Sequence, residues 1–122
     1  MTEAEPRYRA LCCGGQSRKL TGHYECVDPG WAALLTLLHL RLEQLDPAYE
    51  VVQVKEKFGG LRAYIISESR EAQDLTNSYT SLSEHVCEMC GKEGECAAGG
   101  RFWMKTLCEH CRTVRHEERA EA

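Results

Sequence analysis

Two Cys-x-x-Cys pairs constrain the fold of this chain more than any other feature of its sequence. Cys87 and Cys90 form the first pair, and Cys108 and Cys111 form the second after seventeen intervening residues. The two thiolates of one pair can face the same ion, and two such pairs complete a tetrahedron. The spacing therefore predicts one structural Zn²⁺ ion. Because four thiolates leave no open coordination position, the pattern argues against a catalytic metal.

The four remaining cysteines lie outside these pairs. Cys12, Cys13, His23 and Cys26 have suitable chemistry for a second metal site. Adjacent cysteines followed by His-x-x-Cys are nevertheless not a regular metal-binding pattern, so we expect packing or turn roles for them. Cys96 is interpreted as a free thiol for the same reason.

Eight cysteines would suggest a disulfide framework if the chain were secreted. The first residues contain no apolar run, and the most apolar segment, residues 31–42, is interrupted by His39 and Arg41. Neither a secretory signal nor a membrane span is therefore predicted. We expect a soluble, cytoplasmic protein whose thiols are available for metal binding.

The middle of the chain opens with a predicted helix. Asp28 can accept hydrogen bonds from the first-turn amides, and Pro29 suits the first helical position. Apolar residues follow at helical spacing: Trp31, Leu34, Leu35, Leu38, Leu42 and Leu45. Leu37 and Leu40 lie off this stripe, so we expect the helix to be covered on more than one side. Pro47 ends it, because the residue before a proline disfavours helical geometry.

Residues 50–66 predict a β-hairpin around Phe58-Gly59-Gly60. Valines and polar residues alternate before this turn, and Leu61, Ala63 and Ile65 alternate with their neighbours after it. A second helix should follow, capped by Ser67 or Ser69. Its expected apolar stripe consists of Ala72, Leu75, Tyr79, Leu82 and Val86.

The C-terminal part predicts a small zinc module. Residues 95–98 and 101–106 could pair across Gly99-Gly100, and Cys108 and Cys111 would open a final helix. This order is that of a treble clef, and a zinc ribbon is the alternative. The predicted fold class is α+β. It comprises an irregular N-terminal segment (1–27), an α-β-β-α core (28–86), a zinc module (87–115) resting on residues 79–86, and a polar tail (116–122).

Patterns that would indicate an enzyme are weak. His23 and Glu25, followed by Cys87 and Cys90, follow the order of the zinc deaminase signature His-x-Glu…Pro-Cys-x-x-Cys. Val86 stands in place of the proline, and the second cysteine pair would have no role. A His-Asn-His nuclease is disfavoured because the only asparagine lies in a predicted helix. We predict no catalytic residues, and a metal-dependent enzyme remains the last alternative.

Three histidines lie near the cysteine pairs: His85, His110 and His116. His110 lies within the second pair and could replace a cysteine. We expect each of them to face solvent or to support a ligand rather than to bind the ion.

Residues 54–62 read VKEKFGGLR, and the pairs lie in the contexts Cys87-Glu-x-Cys-Gly91 and Thr106-Leu-Cys-x-x-Cys111. Together with Asp28-Pro-Gly-Trp31, these strings resemble a group of small phage and prophage proteins, over residues 28–111. Many relatives in that group end the pattern with Cys-x-x-His where this chain has Cys111, and both residue types bind zinc. The resemblance implies a phage or prophage origin and a bacterial cytoplasm.

The net charge of −4 contains no strongly basic block, whereas binding to a phosphate backbone usually needs clustered Lys and Arg. Because no catalytic constellation stands out, we predict a binding protein, and the resemblance implies a host or phage protein as its partner. The expected surface combines the hairpin tip with the following zinc-module strand: Lys55, Lys57, Phe58, Arg62, Arg101, Trp103 and Lys105. The alternative is nucleic-acid binding through Arg101, Lys105, Arg112 and Arg115.

Overall fold

The structure, a computed structural model, describes residues 17–98 and 104–114 and has the predicted α+β architecture. A helix, a β-hairpin, a second helix and a four-cysteine module follow one another. The elements are α1 (Ala32–Leu45), β1 (Glu50–Lys57), β2 (Gly60–Ile66), α2 (Arg70–Ser83), β3 (Glu95–Ala98), β4 (Met104–Leu107) and a helical segment, α3, at 109–114. None of the helices in these ranges has the length and apolar content needed to cross a membrane.

Helix α1 begins with a 3₁₀ turn, Pro29–Trp31, in which Pro29 takes the predicted first position. The expected side-chain cap is wrong, since Asp28 makes no capping hydrogen bond. Its carboxylate instead lies 3.3 Å from Lys105 Nζ, on β4. A tertiary ion pair has replaced the local interaction that the sequence suggested.

Helix α1 is buried along one stripe and exposed opposite to it. Leu34, Leu35, Leu38 and Leu42 are buried, whereas Leu37 and Leu40 are 50% and 54% exposed. The expectation that this helix is covered on more than one side is therefore wrong. The core residues of the hairpin and of α2 belong to the same cluster as the buried leucines, so α1 contributes to a single core from one side.

The hairpin strands pair from Glu50↔Ile66 to Lys57↔Gly60, with a register shift between Val51 and Gln53. The turn residues are Phe58 and Gly59 rather than the two glycines, with φ angles of 55° and 79°. Positive φ at both central residues is the geometry of a type I′ turn, which matches the twist of the flanking strands. The sequence located the turn correctly to within one residue.

Helix α2 is capped by Ser69, whose Oγ accepts a hydrogen bond from Ala72 N at 3.1 Å. The buried residues are Ala72, Thr76, Tyr79 and Ser83, and Leu82, expected inside, is 47% exposed. Ser83 can replace it in the core because its hydroxyl is fully used. It accepts from Leu61 N and donates to Thr80 O, so its burial leaves no unpaired polar atom.

The segment before α1 packs against the core through two 3₁₀ turns, Leu20–Gly22 and Tyr24–Cys26. Leu20 is fully buried, and its N–H donates to the Tyr49 hydroxyl at 3.1 Å. Burial raises the pKa of Tyr49 to about 12, so the phenol stays protonated at neutral pH. The part of the predicted N-terminal segment that the structure describes is therefore part of the core.

We predict opposite outcomes for two identical truncations in α1. Leu38→Ala should lower the free energy of unfolding by about 2–5 kcal/mol, because it leaves a cavity at a fully buried site. Leu40→Ala should change it by no more than about 0.5 kcal/mol, because half of this side chain already meets solvent. Urea unfolding at constant metal concentration measures both, and equal losses would contradict the one-sided burial of α1.

Candidate metal centre

The four cysteines of the two pairs converge on one point. The sulfurs of Cys87, Cys90, Cys108 and Cys111 all lie within 4.8 Å of one another, and those of Cys90 and Cys108 are 3.6 Å apart. Metal–sulfur bonds of 2.3 Å in a tetrahedron imply sulfur–sulfur separations of about 3.8 Å, whereas a disulfide would need about 2.05 Å. The cluster therefore has the size and the donor set to hold one metal ion.

The local electrostatics favour the thiolate of Cys87 and oppose that of Cys111. Burial raises the pKa of Cys87, but hydrogen bonds from the backbone amides of Cys108, Cys90 and Met89 outweigh it and lower the pKa to about 6. Burial, together with the neighbouring sulfurs, raises the pKa of Cys111 to about 12. Since a metal ion binds the thiolate form, a cation within the cluster would remove this conflict between neighbouring charges.

The first cysteine pair lies directly on the start of α1. Gly91 has a φ of 85°, which closes the turn after Cys90 as the sequence suggested. Gly30 N donates to Glu88 O at 2.6 Å, and a Cβ added to Gly30 would lie only 2.1 Å from Cys87 O. Two backbones thus touch at a point where a side chain has no room. The Asp28-Pro-Gly-Trp31 string and the Cys87-Glu-x-Cys-Gly91 string are parts of one contact.

A buried ion pair joins the first cysteine pair to β4. Glu88 is 1% exposed; its carboxylate lies 3.0 Å from Lys105 Nζ and accepts from Thr106 N at 2.8 Å. Burial raises the pKa of Glu88, and this effect outweighs the contacts with Thr106 and Lys105, which lower the pKa. Burial opposes the Lys105 charge as well, but Glu88 and Asp28 outweigh it and raise the pKa of Lys105. No sequence pattern indicates this network, because its members lie far apart in the chain.

Strand β4 also holds the tip of the β1–β2 hairpin. The Thr106 hydroxyl donates to Gly59 O at 2.6 Å, and the Cys96 thiol, on β3, lies 3.4 Å from Phe58 O. The expected contact with residues 79–86 is present too, since Gly94 N donates to His85 O at 2.9 Å. The cysteine module therefore contacts the start of α1, the end of α2 and the hairpin tip.

The module fits the predicted treble clef or zinc ribbon. Strands β3 and β4 pair from Glu95↔Leu107 to Ala98↔Met104. Cys108 follows β4 directly, and Cys111 lies in α3. The order of cysteine knuckle, hairpin and ligand-bearing helix is the one that the sequence predicted.

Other candidate ligands lie elsewhere. In the described part of the chain, the four cysteines are the only group of three or more potential ligands close enough to share an ion. His85, His110 and Cys96 are not members of it, and neither is His23, so the deaminase arrangement is wrong. The His23 ring contacts Ser17 O and Cys26 Sγ. Cys12, Cys13 and His116 lie outside the described residues.

The predicted binding surface is divided by the structure. The hairpin tip carries four of its residues: Lys55, Lys57, Phe58 and Arg62. Lys105, by contrast, forms ion pairs with Glu88 and Asp28. Arg101 and Trp103 lie outside the described residues.

The nucleic-acid alternative loses one free cation, Lys105, in the same way, whereas Arg112 keeps its charge because a backbone carbonyl does not neutralise it. Lys105 is already paired, and the Arg112 guanidinium donates to Glu95 O at 2.8 Å. Arg101 and Arg115 lie outside the described residues. Lys105 and Arg112, the two described cations of that alternative, therefore make contacts that hold the module together.

Thr106→Val should lower the free energy of unfolding by about 1–3 kcal/mol, because it removes the donor to Gly59 O at a buried site. Thr113→Val removes a hydroxyl that bonds Glu109 O at an exposed site and should change stability by no more than about 0.5 kcal/mol. Chemical denaturation at fixed zinc compares them. Equal stability of the Thr106→Val variant and the parent would show that the tip does not depend on β4.

Comparison of this chain with protein-family models, with curated proteins and with solved structures finds no match. The geometry of the cysteine cluster and of the hairpin tip therefore carries the functional conclusions.

Proposed function

We propose that the four-cysteine cluster holds one structural Zn²⁺ ion and that the chain is a non-enzymatic binding protein acting on a protein partner. Four convergent sulfurs at tetrahedral separations are typical of zinc or iron ligands, and closed four-thiolate sites typically hold structural zinc. With all four positions taken by protein, such an ion has no place for a water or a substrate. Its role is to hold the module in place.

The observation that carries the binding function is the conformation of Phe58. Positive φ is rare for a bulky residue, and holding it costs about 1–3 kcal/mol. Phe58 has a φ of 55°, yet its side chain is 65% exposed and contributes little to the core. A glycine or an asparagine would fit the turn better. An exposed aromatic side chain held at a cost to stability, beside Lys57, is what a contact residue for a partner requires.

The metal module supports this tip. Thr106 and Cys96 donate hydrogen bonds to the carbonyl oxygens of Gly59 and Phe58. The aromatic side chain therefore projects from a fixed backbone. Ordering a flexible tip on binding would cost affinity, and a preorganised tip avoids that loss. Structural zinc and protein binding are in this way parts of one function.

The resemblance of residues 54–62 and of the cysteine contexts to small phage and prophage proteins supports a phage or prophage origin. A host or phage protein in the bacterial cytoplasm would then be the partner. Phage genes on both sides of the coding sequence would agree with this origin, and housekeeping genes on both sides would contradict it.

Purified protein should contain one zinc ion per chain, measured by elemental analysis. Cys108→Ser should lose most of this zinc and unfold the module, because zinc binding to such sites contributes about 10–16 kcal/mol at neutral pH. Cys96→Ser is the matched control, since this thiol lies outside the cluster, and should keep its full zinc content.

Two results would change the assignment of the metal. Iron in place of zinc after expression in metal-balanced medium would contradict the identity of the ion. A second zinc ion per chain that Cys26→Ser removes would establish a second site, which we do not expect.

Phe58→Asn should raise the free energy of unfolding by about 1 kcal/mol, because asparagine tolerates positive φ better than phenylalanine. The same variant should lose the partner that the parent protein captures from bacterial host extract. Leu40→Asn, which changes another apolar residue that is more than half exposed, on α1, should keep it. Capture that is unchanged by Phe58→Asn would contradict the role of the tip.

A further inference from the structure

A groove of about 530 Å³ runs between β2 and α2, next to the hairpin tip. Lys57, Phe58, Arg62 and Tyr64 line it from the hairpin, and uncharged polar side chains such as Asn77 line it from α2. The groove thus begins at the exposed aromatic residue of the proposed binding surface and continues along the β2 edge of the sheet.

The charge of this groove is opposite to that of the whole chain. Two cations line it and no carboxylate does, although the chain has a net charge of −4. Other grooves contain acidic residues, as between α1 and α2, where Glu71 and Asp74 lie. Among the described residues, none of the ion pairs involves Lys57 or Arg62. Both charges are therefore available to an anionic ligand.

The backbone of β2 offers hydrogen-bonding groups in the same place. β2 pairs only with β1 among the described strands, and the closing pair Lys57↔Gly60 directs the peptide groups of Leu61, Ala63 and Ile65 away from β1. Leu61 N donates to Ser83 Oγ, and Ile65 O accepts from Gln73. Ala63 lies between them and lines the groove. No hydrogen bond from a described residue satisfies its outward N–H or C=O.

We propose that the groove binds an extended acidic peptide segment of the partner, which adds to the edge of β2 at Ala63 and places carboxylates against Lys57 and Arg62. An extended peptide has both a donor and an acceptor for Ala63. Its side chains alternate in direction, so every second residue can face the two cations. A phosphodiester backbone offers no donor for the Ala63 carbonyl. The proposal rests on the protein-binding function and specifies the chemistry of the partner.

Fluorescence anisotropy of labelled probes with the zinc-loaded full chain tests the proposal. A short peptide of alternating Glu and Val should bind, and the same peptide with Lys in place of Glu should not. Lys57→Ala combined with Arg62→Ala should weaken binding by roughly tenfold, as expected for two exposed charge contacts. Arg41→Ala combined with Arg70→Ala removes the same charge away from the groove and should leave binding unchanged. Zinc content and melting temperature confirm that each variant is folded.

Strand addition is tested separately from charge. Methylating the backbone nitrogens of alternate residues removes the peptide's hydrogen-bond donors along one edge. The acidic peptide that is methylated on the edge facing β2 should bind roughly tenfold more weakly than the unmodified peptide. The Ala63 amide should become protected from hydrogen exchange when the unmodified peptide is present. Equal binding of both methylation patterns, or an Ala63 amide that stays unprotected, would overturn the strand-addition model.

Three further results would overturn the proposal in distinguishable ways. If the acidic peptide does not bind at low salt but Phe58→Asn still abolishes partner capture, the groove proposal is rejected and the protein-binding function is kept. If the acidic peptide does not bind and partner capture is unchanged by Phe58→Asn, both the groove proposal and the protein-binding function are rejected. The third result concerns single-stranded oligothymidylate. If it binds more tightly than the peptide, and if Lys57→Ala combined with Arg62→Ala weakens this binding, the occupant of the groove is a nucleic acid.

Discussion

Four cysteine sulfurs within 4.8 Å of one another repel one another when they are ionised, unless a cation lies between them. The amides around Cys87 stabilise one thiolate, and the pKa of Cys111 rises to about 12 beside it. A metal ion converts this repulsion into attraction, because each sulfur then binds as a thiolate. The described part of the C-terminal module has two short strands and a helical segment, and units this small commonly depend on a bound metal to hold their shape.

The module is more than an attachment to the core. Glu88 O accepts from Gly30 N at the start of α1, and Thr106 donates to Gly59 O at the hairpin tip. The Trp31 indole donates to Val86 O, just before the first cysteine. Elements that are distant in sequence therefore meet around the cysteine pairs. The tip that presents Phe58 is supported by the same strand that leads to Cys108, so order at the metal site and order at the tip are linked.

Much of the fold and the centre of the site could be predicted from sequence. The four-cysteine cluster followed from the spacing of the two pairs, and the elements followed from periodicity, from Ser69 and from the glycine turn. The errors concern which face is buried. Leu37, Leu40 and Leu82 are apolar but exposed, whereas Ser83, Glu88 and Thr106 are polar but buried. Hydrophobicity alone cannot separate these cases, because a polar side chain is buried without penalty when a partner satisfies it. Those partners come from other elements.

The sequence by itself determined the local chemistry: two cysteine pairs with metal-ligand spacing, two helices and a hairpin, each element specified by residues close together in the chain. Tertiary structure alone decided how these parts are used. It paired Lys105 with Glu88 and Asp28 instead of exposing it to a ligand, and it placed Lys57 and Arg62 in a groove between β2 and α2. The physical reason is that the burial and charge environment of a side chain depend on contacts across the fold. Spacing along the chain describes only its neighbours in sequence.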